Sequence, residues 1–341
     1  MRRSTFSPEA DCAIAQSLGV IGDGWELLIV RDLARGVSRF DELAGSLRIS
    51  RKVLTERLNS LVDSRIVNKA AYQDRPTRYA YELTPRGRAL LPVLVALQDW
   101  GDRWLLGDGS LTGTNAADEP PAQRLLELVG QRVPYVALPS TRGTTADAPS
   151  AHDTTSDTVA PSTRGTTTDA PSTRGTTADA PATSGTTADT DGLSARGTTV
   201  DVVDVGARTT VIFGYPATGR PSPLPDGWGE IPGAAGCTLE NRLFGARYDE
   251  FAAKGIAVRG VSTQRTDEQQ AFAQGEEIPH LLLSDLDLEL TAALRLPTFR
   301  AGGYERLKRF VLIVGADRVV RSVRYPVTDI ADAVDWALTT G

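Results

Sequence analysis

The stretch IPGAAGCTLENRLFGARY, residues 231 to 248, decides how the second half of this 341-residue chain is read. A Pro- and Gly-rich loop, YPATGRPSPLPDGWGEIPGAAG, runs into Cys237, where an amphipathic helix begins. Leu239, Leu243, Phe244, Tyr248 and Phe251 share one face of it. Free cysteine is among the most buried residue types, so packing is the plain reading of Cys237. Its position argues for chemistry. A thiol in the first turn of a helix meets the positive end of the macrodipole and unpaired backbone N–H groups, and both favour thiolate.

The pattern around it is α/β. TTVIFGY and GIAVRGVST read as buried strands, and FVLIVGADRVVRSVRYP as a hairpin turning at Gly315–Asp317. Helical stretches fall at 238–253, 266–275 and 285–295, which predicts a central sheet with helices packed on it. His280, in IPHLLLSD, reads as packing or capping at a strand start.

Composition narrows the chemistry. The chain is 40% hydrophobic and 23% charged, with net charge −6, two cysteines and two histidines. A Ser-His-Asp triad and a Cys/His zinc site are both improbable with so few histidines, and no metal or cofactor is expected. No GxGxxG or Walker spacing is present. With no apolar run near the ~20 residues of a membrane span and no signal-peptide h-region, no membrane partner and a cytoplasmic location are expected. Two cysteines make no disulfide framework. Residues 1–107 carry 16 basic and 13 acidic side chains, a balance of +3 against −9 for the remainder. Only the first part suits nucleic acid.

That first part reads as short helices, DCAIAQSLGVIG and GWELLIVRDLARG, the second closing at Gly36. SRFDELAGSL begins at Ser38, a good N-cap. SRKVLTERLNSLVDSRI sets Val53, Leu54, Leu58, Leu61 and Val62 on one face, opposite Arg51, Lys52, Thr55 and Arg57. Short helix, tight turn and a helix with a basic, hydroxyl-bearing front make the layout of a helix-turn-helix reader of double-stranded operator DNA, with Ser50 at its start. IVNKAAYQDRPTRYAYELT alternates like a hairpin turning at QDRP, a wing whose tip offers Arg75 and Arg78 to phosphate or minor groove. The apolar closing helix, PRGRALLPVLVALQDWGDRWLL, predicts a homodimer through residues 1–107.

Between about 139 and 199 the chain repeats ten-residue units, PSTRGTTADA at 139, PSTRGTTTDA at 161, PSTRGTTADA at 171 and PATSGTTADT at 181. They hold almost nothing to bury, so 146–199 is expected to be a disordered insertion. Splicing Thr145 to Thr199 restores two short strands joined by a Gly-containing turn, which places the insertion inside the first hairpin of the second domain. The interdomain linker is then 108–122, between domains at 1–107 and 123–341.

Two resemblances follow. Residues 9–106, with GWELLIVRDL and ISRKVLTERL in place, resemble an HxlR-type winged helix regulator; one departure is DSRIV, where a glycine is commoner before the wing. In that family a cysteine near the first helix often serves as a redox sensor, the place Cys12 occupies; packing on a dimer-forming helix is the competing reading. Residues 122–341 resemble the peroxiredoxin family (alkyl hydroperoxide reductase/thiol-specific antioxidant, thioredoxin-like fold) through VPYVALPSTRG, VIFGYPATG, IPGAAGCT, GVSTQ, LLSDLDLELTAALRLPTF and LKRFVLIV. That resemblance implies that Cys237 is the peroxidatic cysteine, that Pro216 shields it and that Arg309 stabilises the thiolate and the departing oxygen. The family's threonine, three residues before the cysteine, is Ala234 here, with Thr238 adjacent as a possible substitute. The resolving position five residues on is Arg242, which implies a 1-Cys mechanism.

The expected fold is therefore an N-terminal winged helix-turn-helix joined to a C-terminal α/β thioredoxin-like domain. The expected function is a DNA-binding regulator that senses or reduces hydroperoxide through Cys237, with a thiol reductant and a relay to Cys12. A 1-Cys peroxidase with an accessory DNA-binding domain, and a pure regulator with a degenerate redox domain, are the alternatives.

Overall fold

A computed structural model describes residues 12–75, 77–141, 198–219 and 221–341, all within one packed unit that includes both halves of the chain. Of the insertion expected over 146–199, residues 146–197 lie outside the described residues, while Thr199 is the first residue of a strand.

Four helices and a hairpin open the fold: α1 (Ala13–Ile21), α2 (Gly24–Ala34), α3 (Phe40–Leu47), α4 (Arg51–Asp63), then β1 (Val67–Asp74) antiparallel to β2 (Thr77–Leu83). Asp23 and Ser50 cap α2 and α4, their side chains accepting from Trp25 N and Val53 N. Gly36, with φ +85°, follows the end of α2 as expected. The start of α3 differs from the expectation: the cap is Arg39, not Ser38, with the Glu42 carboxylate accepting from its N–H. Before the wing, where a glycine is commoner, Arg65 takes a left-handed φ of +57°. The apolar face of α4 is buried through Leu54, Leu58 and Leu61, against Ile29, Val30 and Leu43. The closing segment divides into α5 (Pro85–Arg88) and α6 (Leu91–Trp104), with Pro92 in the first turn of α6, where a missing N–H costs nothing.

The second half begins with α7 (Pro120–Leu126). A five-stranded sheet follows in the order β11-β10-β5-β6-β7, built from β5 (Thr209–Gly214), β6 (Ile256–Ser262), β7 (Leu281–Ser284), β10 (Phe310–Gly315) and β11 (Val320–Arg324). β5, β6 and β7 are parallel; β10 is antiparallel to both neighbours. Val211, Phe213, Val311 and Ile313 face one core, and Ile212, Leu312 and Val314 the other. Burial on both faces explains why these strands read as continuous apolar runs. Helices α8 (Cys237–Ala246), α9 (Tyr248–Ala253), α10 (Thr266–Gly275), α11 (Glu289–Leu294) and α12 (Ile330–Thr340) complete a thioredoxin-like domain. The single helix expected over 238–253 breaks at Arg247.

Two smaller hairpins complete the set. β3 (Ala137–Pro139) pairs with β4 (Thr199–Asp201), the two strands expected to flank the repeat, and β8 (Thr298–Ala301) pairs with β9 (Tyr304–Leu307). The halves share a core, since Leu288 and Ala292, at the start of α11 and within it, pack among Ile29, Leu91 and Val95. The 108–122 segment is packed as well. Gly113 N–H donates to Pro232 O at 2.8 Å, and Asn115 Oδ1 accepts from Lys308 Nζ at 2.8 Å and from Tyr325 OH at 2.7 Å.

Candidate functional site

Cys237 is the first residue of α8, and Gly236 caps that helix with φ +104°. A side chain at Gly236 would be strained there, and its Cβ would come within 2.7 Å of Ile330 Cδ1. The thiol is 3% exposed and lies in the core formed with Phe213, Tyr215 and Phe244. Its hydrogen is directed to the Ala234 carbonyl at 3.6 Å, and Arg309 Nη2 approaches the sulfur at 3.6 Å while donating to Ala235 O at 2.9 Å. Arg309 itself is 3% exposed. Pro216 is buried in the loop after β5, and the backbone N–H of Ala217 next to it favours the thiolate. Gln264 fixes that loop: its Oε1 accepts from Thr218 N at 2.9 Å and its Nε2 donates to Thr218 O at 3.3 Å. Cys237, Arg309 and the Pro216 loop thus converge. Thr238 does not join them; it is half-buried and its hydroxyl makes no hydrogen bond among the described residues.

A residue that sequence reasoning missed completes the cluster. Glu240, fully buried on α8, accepts from Arg309 Nη1 through Oε2, and its other oxygen, Oε1, has no hydrogen-bond partner among the described residues. Burial pushes this carboxyl up to about 7, against the pull of Arg309. The one available signal was an acid three residues after the cysteine, in register with the buried Phe244. A charged residue on an amphipathic helix is ordinarily read as solvent-facing.

The thiol departs from the expectation drawn from its helix position. Burial pushes Cys237 up, and Glu240 adds to that push; Arg309 and the Ala217 N–H pull it down without prevailing. Desolvation of the charged form outweighs the neighbouring positive charge. The Ala234 carbonyl, at the position where the family threonine would stand, is an acceptor for the thiol proton.

Cys12 sits elsewhere. It caps α1, accepting weakly from Ala15 N at 3.5 Å, and is half-buried. Both cysteines are free thiols. Arg242, at the resolving position, pairs at the surface with Glu276.

On the winged helix, Arg51, Lys52 and Thr55 are exposed along α4, and Arg75 and Arg78 are exposed at the wing. Arg51 is lightly engaged with Asp41 at 2.7 Å and lies over the Phe40 ring, while the Thr55 hydroxyl donates to Arg51 O. Ser50 is spent on its cap. Arg57 stands apart: its Nη2 lies 2.6 Å from Asp23 Oδ2 and it is only 31% exposed, so it ties α4 to the start of α2.

Comparison with known proteins matches both halves. Residues 20–108 match the HxlR-like helix-turn-helix family, and residues 173–335 match the Redoxin family. An uncharacterized HTH-type transcriptional regulator of Mycobacterium tuberculosis is 39% identical over 93 residues, 27% of this chain and 59% of its own; the chain thus spans less than two thirds of that relative. The uncharacterized HTH-type transcriptional regulator YvaP of Bacillus subtilis is 32% identical over 106 residues, covering 31% of this chain and 94% of its own. Among solved structures, the peroxidoxin BcpB of Mycobacterium tuberculosis is 26% identical with a TM-score of 0.35, over 42% of this chain and 85% of that one. Among the described residues no single helix is long and apolar enough to cross a membrane, and none of their His, Cys, Asp or Glu side chains groups as a metal site.

Proposed function

The chain belongs to the HxlR-like helix-turn-helix family, and on that premise we propose that it is a homodimeric DNA-binding regulator whose redoxin domain reads hydroperoxide at Cys237. The observation that carries the reading is the buried Cys237–Arg309–Glu240 cluster at the start of α8, on the same chain as a helix-turn-helix.

The chemistry begins when Cys237, beside Arg309, gives up its proton to the peroxide, where it ends on the departing oxygen. The thiolate sulfur attacks one peroxide oxygen, and the O–O bond breaks. The departing alkoxide takes that proton and leaves as alcohol, while the sulfur, oxidised by two electrons, becomes a sulfenic acid. Arg309 offers fixed positive charge where oxygen charge develops. A thiol, whether external, from Cys237 of a second copy or from Cys12, then displaces water to give a disulfide, and a second thiol releases Cys237.

Arg51, Lys52, Thr55, Arg75 and Arg78 are the DNA contacts in this reading, with Ser50 and Arg57 positioning the helix that carries them. A second copy covers the apolar face on which Ile14, Leu18, Val93, Leu97, Trp100 and Trp104 are exposed. Transmission from thiol to DNA runs through the 113–115 segment, bonded both to the loop before Cys237 and to Lys308 beside Arg309.

A gel shift on the protein's own upstream DNA tests this, with reduced and peroxide-treated wild type set against Cys237→Ser. Wild type should change affinity by about tenfold on oxidation. The variant should not respond, and a response retained by Cys237→Ser overturns the reading. One observation favours a pure regulator instead: the buried thiol has Ala234 three residues before it, where the peroxiredoxin resemblance implies a threonine hydroxyl. Multiple turnover of peroxide with a thiol reductant separates an enzyme from a single-turnover sensor.

A further inference from the structure

Between the two halves lies a groove of about 570 Å³, within the range of small-molecule sites. Its walls are Leu27 and Leu28 of α2, Leu94, Val95 and Leu97 of α6, Leu105 beyond it, and Ala292 of α11. Its charged lining is Arg31, Asp102, Arg124 and Arg295. Two of these cations are already neutralised. Arg31 pairs with the buried Asp32 at 2.7 Å, and Arg124 donates to both Asp102 oxygens, at 2.9 and 2.5 Å. Arg295 differs. It is half-buried at the end of α11 with a left-handed φ of +52°, and its guanidinium makes no hydrogen bond or ion pair among the described residues. Burial, with Arg124, Arg31 and Arg35 nearby, pulls it down to about 10 against the opposing charge of Asp102.

A long apolar wall that ends on an unneutralised guanidinium matches a ligand with the same asymmetry. We propose that this groove binds an aliphatic monocarboxylate, its chain along Leu27, Leu28, Leu94 and Val95 and its carboxylate on Arg295. Arg is the side chain best suited to grip a carboxylate, through two parallel N–H···O bonds. The ligand would touch α2 and α6 of the helix-turn-helix half and α11 of the redoxin half at once. This goes beyond the redox reading and is independent of it, because Cys237 does not line the groove.

Isothermal titration of the full-length protein with octanoate, decanoate and dodecanoate tests the proposal. Binding should saturate and tighten roughly fourfold per added methylene. Decanol has the same chain without the charge, and it should bind at least about tenfold more weakly than decanoate. Arg295→Gln should lose the same factor for decanoate and nothing for decanol, a pattern that mere damage to the fold would not produce. Cys237→Ser should bind as wild type does. No saturable binding, or equal affinity for decanoate and decanol, overturns the proposal. So does decanoate binding that disappears as sedimentation shows the dimer forming, since a second copy would then be the occupant.

Discussion

The two cysteines of this chain occupy nearly the same local position and have little else in common. Cys12 caps α1 and Cys237 opens α8, so each lies at the positive end of a helix. Among the described residues the Cys12 sulfur accepts one weak hydrogen bond, from Ala15 N. Around Cys237 there is a buried arginine, a buried carboxylate competing for it, and a proline loop locked by Gln264. A helix start supplies a modest field that any residue there would share. What distinguishes Cys237 is tertiary: desolvation that opposes the thiolate, and an arginine placed to restore it.

The comparison breaks most readily at Arg309. Replacing Arg309 by Met, with Glu240→Gln so that no buried carboxylate is orphaned, should slow sulfenic acid formation at Cys237 by about a hundredfold or more. Single-turnover oxidation followed by mass spectrometry measures it. A rate within a few-fold of wild type would mean that the helix start alone activates the thiol, and the two cysteines would be equivalent after all.

Glu240→Gln alone sharpens the contrast. It removes the like charge beside the thiol while leaving Arg309, so Cys237 should ionise at lower pH and react a few-fold faster near neutrality. The same variant has a signature in stability. Because the folded protein raises the Glu240 carboxyl to about 7 from an ordinary 4.5, the native state binds the proton more tightly than the unfolded chain. Stability on this account is greatest below about 4.5 and declines as pH rises through about 7, by something on the order of 3 kcal/mol. Urea titrations from pH 5 to 8 should show that slope in wild type and a flatter one in Glu240→Gln. The smallest effect is expected at Cys12. Cys12→Ser keeps a capping oxygen and should change stability by less than about 0.5 kcal/mol, since surface changes away from special features cost little. Thermal unfolding checks it.

The sequence made the location of the thiol readable, because a Gly-rich loop followed by an amphipathic helix fixes a helix start from local signals alone. Its ionisation was not readable. Whether a helix-start thiol is charged depends on what buries it, and Phe213 and Tyr215 come from the end of β5, far from α8 in sequence. Glu240 was hidden for the same reason, since an acid on an amphipathic helix is assigned to solvent unless its partner 69 residues away is known. The strands of the sheet were legible because burial on both faces leaves them uniformly apolar. The short β8–β9 hairpin and α12 were not singled out, and nothing local marked α11 as a contributor to the helix-turn-helix core. On α4 the basic face was legible by periodicity, yet Arg57 has the same periodicity and is held by Asp23.

Asn115 carries a practical consequence for anyone who would take this protein apart. Cutting the chain before residue 123 to isolate a redoxin module would remove the acceptor shared by Lys308 and Tyr325 and the strut that Gly113 supplies to Pro232. The thiol centre would then be assayed without part of its scaffolding. The two halves are not modular at that boundary, and a transplantable sensor must begin early enough to bring Gly113 and Asn115 with it.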